Sequence, residues 1–198
     1  MNTSMNKVHK MTLTAILMAI ILVMSFTPVG YLAIGPVEIT FLTIPVVIGA
    51  VLLGPWYGAF LGAVFGATSF AQCFSTSVFG AALLAINPVY TFITCMIPRM
   101  LIGIIAGLLF RALSKRGHSG ALALTATTLA GCLTNTVFFV GAVVLFFSGS
   151  SYFAGSTIWQ IIVGFFTVNA LLEIVVCGLV AAGCSKALSH VMSRRLAA

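Results

Sequence analysis

Arg99 and Glu173 are charged residues inside long apolar runs, and they are the first candidates for chemistry in this sequence. Glu173 is one of only two acidic residues in the chain, the other being Glu38. Within a bilayer, a charged side chain is costly unless a partner, a cavity or a ligand compensates the charge. That cost makes Arg99 and Glu173 the starting points of a search for a functional site.

Carboxamides lie in two further apolar runs, at a depth that matches Arg99. Counted from the predicted outer helix ends, Arg99 lies about 15 Å deep and Asn135 about 18 Å deep. Asn169 is at a similar depth, and Glu173 follows it by one turn on the same helix face. Arginine presents a fixed fork of donors to a carboxylate or phosphate, while each carboxamide both donates and accepts. With two residues nearer the outer mouth, the predicted substrate-binding set is Arg99, Asn135, Trp159, Gln160, Asn169 and Glu173.

An internal ion pair is the structural alternative for the two charges. Arg99 could pair with Glu173, with the carboxamides serving as hydrogen-bonding links between helices. Both interpretations can hold together, because Glu173 can orient Arg99 while a ligand takes the remaining donors. Pro98, directly before Arg99, favours a functional role, since proline frees a carbonyl about one turn earlier and that carbonyl must be satisfied inside a membrane.

The composition predicts an all-α membrane protein. Of the 198 residues, 61% are hydrophobic and 6% are charged. Apolar runs of about twenty residues are separated by short polar breaks, the pattern of membrane-spanning helices. We expect one membrane domain over residues 1–198, without a soluble domain. Its predicted transmembrane helices are 11–26, 39–53, 56–71, 89–110, 121–147 and 158–184.

The basic residues predict the orientation of these helices. The net charge of +7 could suggest nucleic acid, but the lysines and arginines cluster at helix ends rather than in a patch beside aromatics. Apart from Arg99, all of them fall on one side of a six-helix arrangement. The positive-inside bias therefore places both termini in the cytoplasm, and we expect a multi-pass protein of a bacterial-type plasma membrane.

Small residues mark two faces for close packing. Gly54, Gly58, Gly62 and Gly66 are spaced four apart along the third predicted helix, which lets another backbone approach closely. Ala15 and Ala19 form a similar pair in the first helix. Internal packing is the default interpretation of both faces, and docking of another membrane protein is the alternative for the alanine pair.

The sequence lacks the motifs of several common binding sites and catalytic sites. There is no G-x-x-x-x-G-K-[ST] loop for ATP and no H-E-x-x-H pair for zinc. The five cysteines include no C-x-x-C motif, so we interpret them as small apolar residues and expect neither a metal site nor a disulfide framework. No catalytic residue and no cofactor within this chain are predicted.

The chain resembles one known family over almost its whole length, and three segments carry the resemblance. They are IPVVIGAVLLGPWYGAFLGAVFGATSF from Ile44 to Phe70, NPVYTFITCMIPRMLIGIIAGLL from Asn87 to Leu109, and NALLEIVV from Asn169 to Val176. Together with the alanine pair of the first helix, they resemble the substrate-binding S components of energy-coupling factor (ECF) vitamin transporters. Pro98-Arg99, Asn135-Thr136 and the N-x-x-x-E of Asn169 and Glu173 look most like pantothenate-type subunits.

The resemblance implies a function that the residues alone do not establish. S components have six helices, capture a vitamin near the outer side under a lid formed here by residues 27–37, and topple in the membrane to release it inward. Ala15 and Ala19 would dock on a shared transmembrane coupling protein, which is driven by two ATPases that carry the ATP. The partners are then a vitamin, these subunits and the bilayer, with no nucleic acid.

Pantothenate fits the candidate residues because its one carboxylate, one amide and two hydroxyls match one arginine and two asparagines. Riboflavin, folate and cobalamin subunits share the general pattern, so another vitamin is an alternative. A free-standing secondary carrier, an assembly subunit and an intramembrane enzyme with Glu173 as acid or base are further alternatives. The enzyme would need a second catalytic group at the same depth, and only Arg99 and carboxamides are available there.

Overall fold

A computed structural model describes residues 7–27, 30–34, 37–115, 120–150 and Gln160. This part of the chain is helical, as predicted, with one small antiparallel hairpin added. Three of its helices are long and apolar enough to cross a membrane by length and composition: Lys7–Ser25, Pro88–Lys115, and Leu122–Phe147 within the last helix. In chain order, the elements are helix α1 (Lys7–Ser25), strands β1 (Tyr31–Ile34) and β2 (Val37–Thr40), and helices α2 (Thr43–Leu53), α3 (Pro55–Gln72), α4 (Val78–Ile86), α5 (Pro88–Lys115) and α6 (Gly120–Phe147).

The hairpin replaces the start of the second predicted helix. Residues 39 and 40 belong to β2, which pairs antiparallel with β1, and α2 begins only at Thr43. The segment Val37–Thr40 contains three β-branched residues, which favour a strand over a helix. Among the described residues between α1 and α2, two short strands thus occupy positions where the sequence predicted a loop and the start of a helix.

Helix α4 lies within residues 72–87, between the third and fourth helices that the sequence predicts. Its start is defined by Ser77, whose hydroxyl accepts a hydrogen bond from the Gly80 amide at 3.0 Å, an N-cap. Asn87 separates α4 from α5 and caps α5, because its Oδ1 accepts from the amides of Val89 and Tyr90. Both caps are short polar residues in an apolar sequence, so they were readable as helix starts.

Helices α3 and α5 pack backbone against backbone. A Cβ added at Gly103 would lie 2.0 Å from the Gly58 carbonyl carbon, and one at Gly62 would lie 2.1 Å from the Arg99 carbonyl oxygen. One at Gly66 would lie 3.0 Å from the Cys95 carbonyl oxygen. The predicted role of the α3 glycines in close packing is confirmed. These contacts set an antiparallel register between α3 and α5, in which the C-terminal half of α3 lies against the segment of α5 around Arg99.

A tight turn at Gly54 joins α2 to α3 and starts this register. Gly54 has a φ of 110°, a conformation that L side chains rarely adopt, and Pro55 is the first residue of α3. A Cβ at Gly54 would also lie 2.5 Å from the Arg111 Nη2. The backbone conformation requires glycine here, whereas the end of the flexible Arg111 side chain can move away.

The remaining helices alternate in direction around this pair. Ser25, at the end of α1, donates to the Thr68 hydroxyl of α3 at 2.9 Å and accepts through its carbonyl from the Gln72 side chain, so α1 and α3 run parallel. Helix α6 runs antiparallel to α5, since Tyr90 stacks on Phe146 near one end of the pair. The main core lies between α1, α2, α3 and α5, and its fully buried side chains include Ile21, Val46, Leu61, Phe65 and Ile102.

Candidate functional site

Arg99 is a buried arginine in the middle of α5, with 5% of its surface exposed. Its Nη1 donates to the Thr94 carbonyl at 2.9 Å, and its Nη2 lies 3.4 Å from the Ser69 hydroxyl. Pro98 explains the first contact, because proline has no N–H and cannot donate to the carbonyl four residues earlier. That carbonyl belongs to Thr94. The guanidinium thus satisfies the acceptor that Pro98 leaves open, which accounts physically for the Pro98-Arg99 sequence.

Two phenylalanines lie against the guanidinium. Its central carbon is 4.7 Å from the ring centroid of Phe139 on α6 and 5.5 Å from that of Phe65 on α3. Both distances are within the range of cation–π attraction, which strengthens when the pair is shielded from water. The two rings therefore attract the guanidinium and pack against it in an apolar part of the molecule.

The charge of Arg99 meets only neutral acceptors at the described residues. The Thr94 carbonyl and the Ser69 hydroxyl carry no formal charge, and Nε has no hydrogen-bond partner within the described segments. A buried donor that makes no hydrogen bond costs free energy, and the cost is larger when the donor is charged. The geometry is that of a preformed fork with donor capacity remaining, which suits a carboxylate or another small anion.

Asn135 lies on α6 at the level of Arg99. Two contacts bracket it: Phe139, one turn later, touches the guanidinium, and a Cβ at Gly131, one turn earlier, would lie 3.5 Å from Ile102. Residues four apart share a helix face, so Asn135 is on the face of α6 that is turned to α5. Its side chain is 5% exposed. The predicted match in depth between Arg99 and Asn135 agrees with this register.

The other predicted binding residues are placed only in part. Asn169, Glu173 and Trp159 lie outside the described residues. Gln160 is helical and exposed. Sequence reasoning missed four residues that hold Arg99. Thr94 was identifiable from its spacing to Pro98, whereas nothing in the local sequence indicated Ser69, Phe65 or Phe139.

A separate apolar groove lies beside Ala15, between the first turns of α1 and α3. It has a volume of about 480 Å³, and both alanines of the small-residue pair are exposed on α1. Trp56 and Phe60 of α3 form one wall and remain 81% and 51% exposed. Bulky side chains on α3 thus lie opposite Ala15, the smallest residue that α1 contributes to the groove. The groove is lined by Met11, Thr14, Ala15, Met18, Trp56, Tyr57 and Phe60.

Comparison with known proteins assigns the chain to a family. Residues 9–184 match the family described as "ECF transporter, substrate-specific component". The chain is 35% identical over 141 residues to the "Pantothenate transporter PanT" of Leuconostoc mesenteroides, covering 68% of this chain and 67% of that protein. It is 31% identical over 150 residues to the "Pantothenic acid transporter PanT" of Lactococcus lactis, covering 71% and 72% respectively. The chain therefore belongs to the family of substrate-specific components of ECF transporters, which bind the transported substrate and are not enzymes.

Proposed function

We propose that this substrate-specific component binds pantothenate and that Arg99 receives its carboxylate. The observation that carries the proposal is the buried guanidinium, which among the described residues has only neutral acceptors and no hydrogen-bond partner for Nε. A monoanion supplies the charge that those acceptors lack, and charge-assisted hydrogen bonds to arginine are among the strong ones. The two relatives are both named for pantothenate, which supports this anion over other vitamins.

Carboxamide side chains would bind the amide and the hydroxyls of the ligand. Asn135 is at the depth of Arg99 and can pair with the amide or a hydroxyl of pantothenate, because a carboxamide donates and accepts. Asn169, Glu173, Gln160 and Trp159 remain proposed contacts for the other polar groups and for the outer mouth. A site built to hydrogen-bond a hydroxyl or an amide rejects analogues that lack it far more strongly than an apolar pocket does.

In the membrane, we infer six spanning helices with both termini in the cytoplasm of a bacterial cell. The alternation in direction of α1, α2, α3, α5 and α6 supports an odd number of crossings between the N-terminus and the end of α6, and one further apolar run follows. The basic residues then lie on the cytoplasmic side, as the positive-inside bias requires. In this arrangement Arg99 lies nearer to the exterior end of α5 than to its cytoplasmic end.

Delivery inward would require partners. We infer a transmembrane coupling protein and two ATPase subunits that hydrolyse ATP, since this chain carries no nucleotide-binding loop. The exposed Ala15 and Ala19 and the adjoining apolar groove would form the docking face, because small residues permit close approach of a partner helix. Ala15 and Ala19 lie in the middle of α1, and the groove extends from Ala15 toward the end of the helix that the charge pattern places near the cytoplasm.

A binding panel tests the proposed substrate. The purified protein should be titrated calorimetrically with pantothenate, riboflavin, folate and cobalamin under one set of conditions. We expect pantothenate alone to bind, and to raise the melting temperature with the logarithm of its concentration above Kd, because a ligand of the folded state stabilises it by mass action. Tight binding of riboflavin without binding of pantothenate would overturn the assignment.

Docking is tested by filling the small-residue face. We expect Ala15→Trp and Ala19→Trp to abolish pantothenate uptake in reconstituted vesicles while the Kd of the isolated subunit stays within about twofold, because the indole blocks the approach of a partner helix. Leu108→Trp is the matched control, since this α5 side chain is 55% exposed and outside the groove. Equal loss of binding and uptake in the alanine variants would argue against a docking role.

A further inference from the structure

Cys73 and Cys95 form a close pair of thiols beside Arg99. Their sulfur atoms are 4.0 Å apart, and the two side chains are 4% and 5% exposed. Cys73 is the C-cap residue of α3 and Cys95 is in α5, so the pair joins the two helices that the α3 glycines hold together. The contact could not be predicted from the sequence, because the two cysteines are 22 positions apart.

We propose that Cys73 and Cys95 are a modification site that forms an intramolecular disulfide with a two-electron thiol oxidant, a peroxide or an azodicarboxamide. An S–S bond is about 2.05 Å long, so the sulfurs, which lie 4.0 Å apart, must approach each other by about 2 Å. With an azodicarboxamide, one thiolate adds to the N=N bond, and the second thiolate displaces the resulting hydrazine nitrogen from sulfur. The products are one disulfide and one hydrazine that has gained two electrons and two protons.

Cys73 is buried but lies one residue from an exposed turn. Cys73 ends α3, and the next residue, Phe74, is 67% exposed at the start of the turn that leads to α4. Thiol oxidation is governed by access and by thiolate character, and one sulfur of this pair is a single residue from the exposed surface. Cys132, in contrast, is 1% exposed and lies within α6.

Each cysteine is next to one of the groups that hold Arg99. The Cys73 thiol donates to the Ser69 carbonyl at 3.4 Å, and the hydroxyl of the same serine contacts the guanidinium. Cys95 directly follows Thr94, whose carbonyl accepts from Arg99. Drawing the sulfurs together therefore acts on both hydrogen-bonding anchors of the guanidinium. If Arg99 receives the carboxylate, as the proposed function holds, oxidation also weakens ligand binding.

Mass spectrometry of the oxidised protein tests the pair directly. The purified full chain is treated with diamide, the remaining thiols are alkylated in denaturant, and the digest is searched for linked peptides. We expect a Cys73–Cys95 peptide lacking two hydrogen atoms in the wild type and in Cys132→Ser, and its absence in Cys73→Ser and Cys95→Ser. Full alkylation of Cys73 and Cys95 after oxidation of the folded wild type would overturn the proposal.

A second readout concerns Arg99. We expect the Kd for pantothenate to rise about tenfold in the oxidised wild type, to recover on reduction with dithiothreitol, and to stay constant in Cys73→Ser treated in the same way. An unchanged Kd in fully cross-linked protein would show that the pair does not act on the site. Failure of the reduced wild type to bind pantothenate would count against the proposed function, while the linked peptide would still decide whether the disulfide forms.

Discussion

Arg99→Ala is expected to raise the Kd for pantothenate by more than about 100-fold, equivalent to about 2.7 kcal/mol of binding free energy. The variant removes the charged fork and leaves the ligand carboxylate in a buried place without a counter-charge, a loss that typically costs several kcal/mol. Calorimetric titration of the purified variant measures the effect, and the ligand-induced rise in melting temperature should disappear with it.

Arg111→Ala is the matched control for this experiment. It removes an arginine from the same helix at an exposed position, and we expect its Kd to stay within about twofold of the wild type. Arg99→Lys separates charge from shape, because lysine keeps the positive charge without the planar fork, and we expect an intermediate affinity. If Arg99→Ala bound pantothenate as tightly as Arg111→Ala, the carboxylate would have to be bound elsewhere.

Gly103→Ala is expected to destabilise the protein by about 3 kcal/mol, within the range for overpacked cores. The new methyl group would lie 2.0 Å from the Gly58 carbonyl carbon. A helix backbone cannot give way as a flexible side chain can, so α3 and α5 must move apart. A shift of roughly 10 °C in melting temperature follows for a chain of this size, measured by thermal unfolding in detergent.

Gly141→Ala isolates the steric effect from the intrinsic helix preference of alanine. No described residue has an atom within 4 Å of a Cβ at Gly141, and alanine favours a helix over glycine by about 1 kcal/mol. We expect this variant to melt at or slightly above the wild-type temperature. A Gly103→Ala protein as stable as Gly141→Ala would contradict the backbone contact between α3 and α5.

Local sequence rules anticipated the features that depend on residues close in the chain. The i to i+4 glycine spacing predicted close helix packing, and the glycines of α3 indeed meet the backbone of α5. Pro98 predicted a carbonyl in need of a donor, and Arg99 supplies that donor to Thr94. In both cases, covalent geometry and helix periodicity determine the result, so the residue types alone were sufficient.

Other features depend on which elements pack together, and local patterns do not encode that. Phe139 and Ser69 reach Arg99 from two other helices, and neither has a distinctive neighbourhood in the sequence. The interpretation of the cysteines as independent apolar residues likewise missed the contact of Cys73 with Cys95. Helix α4 was missed for a different reason, because a helix of nine residues is shorter than the apolar runs used to assign spanning helices.

The affinity of the wild-type protein for pantothenate relative to pantothenol tests the central claim most directly. Pantothenol has the amide and the hydroxyls of pantothenate but carries a neutral alcohol in place of the carboxylate. If Arg99 receives that carboxylate, pantothenate should bind at least about 100-fold more tightly than pantothenol, a difference of about 2.7 kcal/mol. Equal affinities for the two compounds would contradict the account.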